Sequence, residues 1–189
     1  MSGIAQVSLG ATAATTDDRI SSTFSWYKMQ SLLPTERNYA AGFDIPDAAW
    51  EGSRWTATTR GQLPAGWTIK ANNGKITVAR GSTETAAQSA SLVQNFTLAT
   101  TGAGTFDKLL NLGSITCSAN LTTGLCTGSF RLTDPATPPY IRTATYYALM
   151  IPHLGNKAYG WFALPKLPQS GETLATSPIL AGRVDMVAQ

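Results

Sequence analysis

Charge is scarce in this chain: of its 189 residues, Asp, Glu, Lys and Arg together make up 13%, about half of the roughly 25% usual in soluble domains. The 14 basic residues stand singly, and nowhere do three of them fall within five positions. That spacing leaves no cationic stripe to follow a phosphate backbone, so the net charge of +3 reads as a solvated surface and no nucleic-acid partner is expected. No apolar run reaches the ~18 residues of a membrane-crossing helix, so no membrane insertion is expected. The first residues, Met-Ser-Gly-Ile-Ala-Gln-Val, carry neither a basic n-region nor an apolar h-region. They fit a chain that stays inside the cell or one that is a mature or truncated piece of an exported protein.

Reactive groups are equally thin. His153 is the one histidine, whereas a triad needs an oriented imidazole and a metal site several ligands. Placed after Pro152, it reads as an exposed or capping residue. Asp17 and Asp18 form an adjacent pair, but neighbours on a strand point to opposite faces, which does not put two carboxyls on one surface. Asp44, Asp47 and Glu51 could gather around Ca²⁺, yet roles at a helix start account for the same residues. The Gly102-Ala103-Gly104 run precedes no helix, so it does not cradle a phosphate. The reading is no enzyme, no catalytic residue, no cofactor and no metal.

Helical periodicity is almost missing too. Residues 44–51, with Pro46 early and acids at the start, suit one short helical turn. What is present is short runs of Thr, Val, Ile and aromatics cut by turn residues, with strands expected near 4–9, 20–28, 52–58, 66–70, 75–79, 91–99, 109–119, 125–132, 140–151, 158–164 and 178–187. Asn72-Asn73-Gly74 and Thr122-Thr123-Gly124 are hairpin turns. Prolines at 34, 64, 135, 138, 139, 165, 168 and 178 mark turns, strand entries or edges, and the small polar residues 81–90 read as a mobile loop. With 43% hydrophobic residues a sizeable core is available. The expectation is a single all-β domain over 1–189, an antiparallel sandwich or partial barrel of about ten short strands.

Two further groups of residues stand out. A four-residue loop over 120–123 would set Cys117 opposite Cys126 on one inward face, which predicts a disulfide; the alternative is two small apolar core residues. A bridge would also argue for an oxidising compartment. The aromatics lie mostly in strands, and Tyr146-Tyr147 must point one ring inward and one outward. Trp50, Trp55, Trp67 and Tyr147 are the candidate binding surface, a platform for sugar rings or a partner protein; core packing and cross-strand pairing is the competing account. The Asn95 and Asn120 glycosylation-like triplets are what Thr- and Asn-rich strands produce by chance.

Several segments occur in a telling order: Trp26-Tyr27-Lys28, Arg37-Asn38-Tyr39-Ala40-Ala41-Gly42-Phe43, Gly52-Ser53-Arg54-Trp55, Gly74-Lys75-Ile76-Thr77-Val78, Thr123-Gly124-Leu125-Cys126-Thr127-Gly128-Ser129-Phe130, Tyr159-Gly160-Trp161-Phe162-Ala163-Leu164-Pro165 and Thr176-Ser177-Pro178-Ile179-Leu180-Ala181-Gly182-Arg183-Val184. Together they resemble the C-terminal β-domain of large exported proteins of the Verrucomicrobia–Planctomycetes lineage. The resemblance implies architecture and an extracellular or cell-surface location. Three functions follow as expectations. The first is a non-catalytic extracytoplasmic domain for adhesion, ligand binding or surface assembly, meeting protein or carbohydrate partners and self-associating through a terminal edge strand (4–9 or 178–187). The second is a structural subunit of a self-assembling particle or filament, with the virion as its location, and the third a polysaccharide hydrolase.

Overall fold

A period of two in apolar residues, broken every few positions by Gly, Asn or Pro, gives the backbone no helical face to bury and sends its amides into inter-strand ladders. The computed structural model describes residues 2–8, 18–33, 35–79, 92–134, 140–155 and 157–189. The expectations for Leu9, Asp17, Pro34, the 81–90 loop and the prolines at 135–139 lie outside the described residues. Eleven strands run along the rest: β1 Ser2–Ser8, β2 Arg19–Lys28, β3 Phe43–Gly52, β4 Gly74–Ala79, β5 Leu92–Leu98, β6 Ala103–Phe106, β7 Cys117–Asn120, β8 Leu125–Asp134, β9 Tyr140–Ile151, β10 Lys157–Pro165 and β11 Ile179–Ala188. The fold is all-β, with antiparallel strand pairing and, among the described residues, a single 3-10 turn at Pro152–Leu154.

The chain divides into two compact units, residues 1–54 with 165–180 and residues 55–164 with 181–189. In the second unit eight strands close into a barrel in the order β10-β11-β4-β5-β6-β7-β8-β9. Eight strands enclose an interior just wide enough for side chains to fill. Inward positions alternate strictly: Ile76 and Val78 on β4, Cys126, Phe130 and Leu132 on β8, Ala144, Tyr146 and Ala148 on β9, Phe162 and Leu164 on β10, Val184 and Met186 on β11 are all buried. Large and small residues interlock. Tyr146 lies opposite Gly128 on one side and Phe162 on the other, and a Cβ at Gly128 would come within 2.5 Å of the Tyr146 hydroxyl. Phe130 meets Phe162 edge to face with centroids 4.7 Å apart. Toward one end Asn73 is buried and fully used: its Nδ2 donates to the Thr68 and Leu98 carbonyls, and its Oδ1 accepts from the Leu98 amide at 2.7 Å.

The first unit is built differently. Its sheet runs β1-β2-β3, with Ser2 opposite Ser25 and Trp26 opposite Ile45. Arg37 donates to the carbonyls of Leu174 and Ser177, at 2.7 and 2.8 Å, and tethers the 165–180 segment. Among the described residues every buried apolar side chain belongs to the barrel unit and none to this one.

Several sequence expectations are corrected. Residues 44–51 form no helical turn but most of β3. β2 supplies a ladder for them, and Pro46, which has no amide to donate, is accommodated on an edge strand. Residues 66–70 form no strand: a turn over 64–67, closed by the Trp67 amide on the Pro64 carbonyl at 2.9 Å, leads into an unpaired stretch. Residues 109–116 do not extend β7. There the Asn111 side chain brackets both the amide and the carbonyl of Ile115, which diverts that backbone from a ladder. Residues 53–58 leave β3 without pairing as a strand, and the four-residue β6 was too short and Gly-rich to be read from periodicity.

The predicted disulfide is also corrected: Cys117 and Cys126 are both free, buried thiols. The hairpin loop covers 121–124, one residue later than expected, and that slip moves the register by two. Cys126 therefore faces Ala119, and Cys117 is its diagonal neighbour on the same inward face. Diagonal Cα separations of ~7–8 Å exceed what a disulfide bridges. The competing account, two small apolar core residues, is the one observed.

Candidate functional site

On the barrel, each strand that buries its even-numbered positions must present its odd-numbered ones outward. On β8, β9 and β10 those outward residues include Leu125, Tyr147, Leu149, Tyr159 and Trp161. The strand registers align them in rows. Leu125 faces Leu149, which faces Tyr159; Thr127 faces Tyr147, which faces Trp161. Tyr147 is 46% exposed, Leu149 55% and Trp161 57%. The Tyr147 and Trp161 rings lie 6.1 Å apart, inclined by 38°. Gly160, side-chain-free and turned inward, sits between Tyr159 and Trp161, and a shallow recess of about 210 Å³ runs along Leu125, Tyr147, Leu149, Tyr159 and Trp161.

Beyond Leu125 the surface changes character. A groove of about 650 Å³ continues along Thr58, Thr59, Thr101, Ser118, Thr122 and Thr127. Leu125 lines both the groove and the recess, so the two adjoin at that residue. Among the described residues lining the groove, Arg60 alone carries charge. The turn beneath is rigidly built. Asn120 Oδ1 accepts from the amides of Thr122 and Thr123, and Gly124 holds a φ of +73° where a Cβ would strike the Trp55 ring at 2.7 Å.

The residues expected to form a binding platform are dispersed. Tyr147 is on the exposed face. Trp67 is 7% exposed and packs against Phe96 with centroids 5.9 Å apart, so it belongs to the core. Trp55 is half-buried and packs against that core. Trp50 is exposed, but on β3 of the other unit. The outward-facing neighbours of Tyr147 are Trp161, Leu149, Tyr159 and Leu125. Their signal in the sequence was the repeated apolar residue at every second position, 147 and 149 on one strand and 159 and 161 on the next. Which strands lie side by side was the missing information.

Inside the wall, the Tyr146 hydroxyl donates to the Thr116 carbonyl at 2.6 Å. Burial pushes the Cys117 thiol up to about 11, partly offset by its hydrogen bond with Tyr146. Burial, reinforced by the neighbouring Cys117, pushes Cys126 up to about 12. Such thiols stay protonated and poorly nucleophilic at neutral pH. Asp44, Asp47 and Glu51 all lie on β3. Among the described residues no three His, Cys, Asp or Glu side chains come together as a metal-holding group, and no helix is long and apolar enough to cross a membrane. Compared with protein-family models, curated proteins and solved structures, the chain matches none of them.

Proposed function

We propose that this chain is a non-catalytic, extracytoplasmic β-domain whose work is binding, in adhesion or surface assembly, and that the outer face of β8, β9 and β10 is its working surface. The observation that carries this reading is the alignment of four exposed large apolar residues, Leu125, Tyr147, Leu149 and Trp161, in adjacent rows on three strands. Scattered exposed apolar residues are ordinary, whereas a contiguous apolar patch marks a site of contact. The low charge, the Thr-rich outer faces and the resemblance to β-domains of large exported proteins support a location at the cell surface. Binding of labelled chain to isolated bacterial cell envelopes tests the reading. Wild-type chain is expected to bind saturably and Trp161→Ala to bind at least several-fold more weakly; equal binding by the two proteins would overturn it.

One observation favours a second reading, a structural subunit of a self-assembling particle or filament. Among the described residues β1 is an edge strand, of a sheet that buries none of its described apolar side chains. Its outer amides and carbonyls are a template for another strand. The other terminal strand does not qualify, because β11 is paired on both sides within the closed barrel. Light scattering would report association that is lost on deleting residues 1–9; a strict monomer would remove this second reading.

A further inference from the structure

Four neighbouring strands share one outer strip. Ser118 on β7 faces Thr127 on β8, Thr127 faces Tyr147 on β9, and Tyr147 faces Trp161 on β10. At ~4.8 Å between strands, the strip is about 14 Å long. It passes from hydroxyl groups at one end to two aromatic rings at the other, and the polar groove of about 650 Å³ widens its hydroxyl end. We propose that this strip is a binding site for a neutral carbohydrate chain, with sugar rings lying on Tyr147 and Trp161 and sugar hydroxyls meeting the Ser and Thr side chains of the groove. The proposal rests on the reading that the outer face is the working surface and names the class of ligand it takes.

Three properties of the strip select that ligand. A pyranose ring has a face of C–H groups, apolar and slightly positive, which suits the negative face of an aromatic ring. Its edge carries hydroxyls that both donate and accept, as do Ser118, Thr127, Thr58, Thr59 and Thr101 along the groove. Arg60 is the one charged residue among the described residues lining that groove, so an anionic polymer would find a single cation where several are needed to hold a charged backbone. A purely apolar partner is excluded on the same ground. It would strip water from a row of hydroxyls and return no hydrogen bonds.

Affinity electrophoresis of the full chain tests the proposal, through native gels containing xylan, mannan or hydroxyethylcellulose, with alginate and heparin as anionic counterparts. Retardation is expected in at least one neutral gel. The affinity should fall about tenfold in Trp161→Ala, the loss of one ring contact, and by a smaller factor in Thr127→Val, while Trp161→Phe retains most of it. Trp161 is more than half exposed, so its variants should keep the wild-type thermal midpoint. Three results would overturn the proposal: no retardation in any neutral gel, retardation in anionic gels only with loss in Arg60→Ala, or equal retardation of Trp161→Ala and wild type. If Trp161-dependent binding to envelopes persists without retardation in neutral gels, the carbohydrate assignment fails alone. If envelope binding is also independent of Trp161, the working surface itself is misassigned.

Discussion

Arg142 and Asp134 show how one pair of residues can hold the barrel to ransom. Both point inward from adjacent strands and are 2% and 3% exposed, and the guanidinium grips the carboxylate through Nε at 2.7 Å and Nη2 at 2.9 Å. Removing two ions from water costs several kcal/mol each, and paired geometry recovers that cost only while both partners remain. Arg142→Met should therefore destabilise the fold by about 3–5 kcal/mol in urea unfolding. Adding Asp134→Leu should restore most of the loss, since the pair replaced together leaves no lone buried charge; a double variant no better than the single would contradict this account. The thiols give a second check at the same scale. In denaturant without reductant both Cys117 and Cys126 should react with a thiol reagent, while in the native protein their burial should suppress reaction.

At the scale of elements, the two units rest on different physics. The barrel strands have interlocked apolar side chains and a ladder on each edge, whereas β2 and β3 carry no buried residue among those described. A three-stranded sheet without a covered apolar face is marginal in water. The ion pair across β2 and β3, Arg19 to Glu51 at 2.6 Å, is too exposed to compensate. Amide hydrogen exchange should accordingly be fast along β2 and β3 and slow along β4, β8 and β9, and limited proteolysis should cut within 19–52 before it cuts the barrel. Equal protection of the two sheets would show that something holds the first unit together beyond the contacts described. Tyr147 and Trp161 belong to this scale as well, because only the pairing of β9 with β10 makes one platform of them.

The molecule as a whole should be sensitive to alkali. Burial raises Cys117 and Cys126 from the ordinary thiol value of 9.0 to about 11 and about 12, and burial raises Tyr146 as well. Acids whose folded-state pKa lies above the unfolded one retain protons in the native state that the unfolded chain releases. Their contribution is fully present below about pH 9 and is lost as pH rises through about 11–12. The urea midpoint should thus be level near neutrality and fall above about pH 9, more gently in Cys117→Ala/Cys126→Ala; a midpoint unchanged up to pH 11 would contradict the placement of these groups.

Much of this was legible in the sequence alone. Local alternation and turn chemistry are properties of neighbouring residues, so the all-β class, the positions of β2, β4, β5, β8, β9, β10 and β11, and the opposite orientation of Tyr146 and Tyr147 could be read from order alone. Other features depend on residues far apart in the chain. A one-residue slip in the 121–124 turn separated Cys117 from Cys126, because register follows loop geometry and not the pattern of the strands. β3 replaced a helical turn because β2 offered it a ladder, and the neighbours of Tyr147 were decided by which strands the closed barrel sets side by side. Sequence determined which residues alternate; only the tertiary structure decided which alternating faces meet, since that choice is made by long-range pairing and closure that no local pattern encodes.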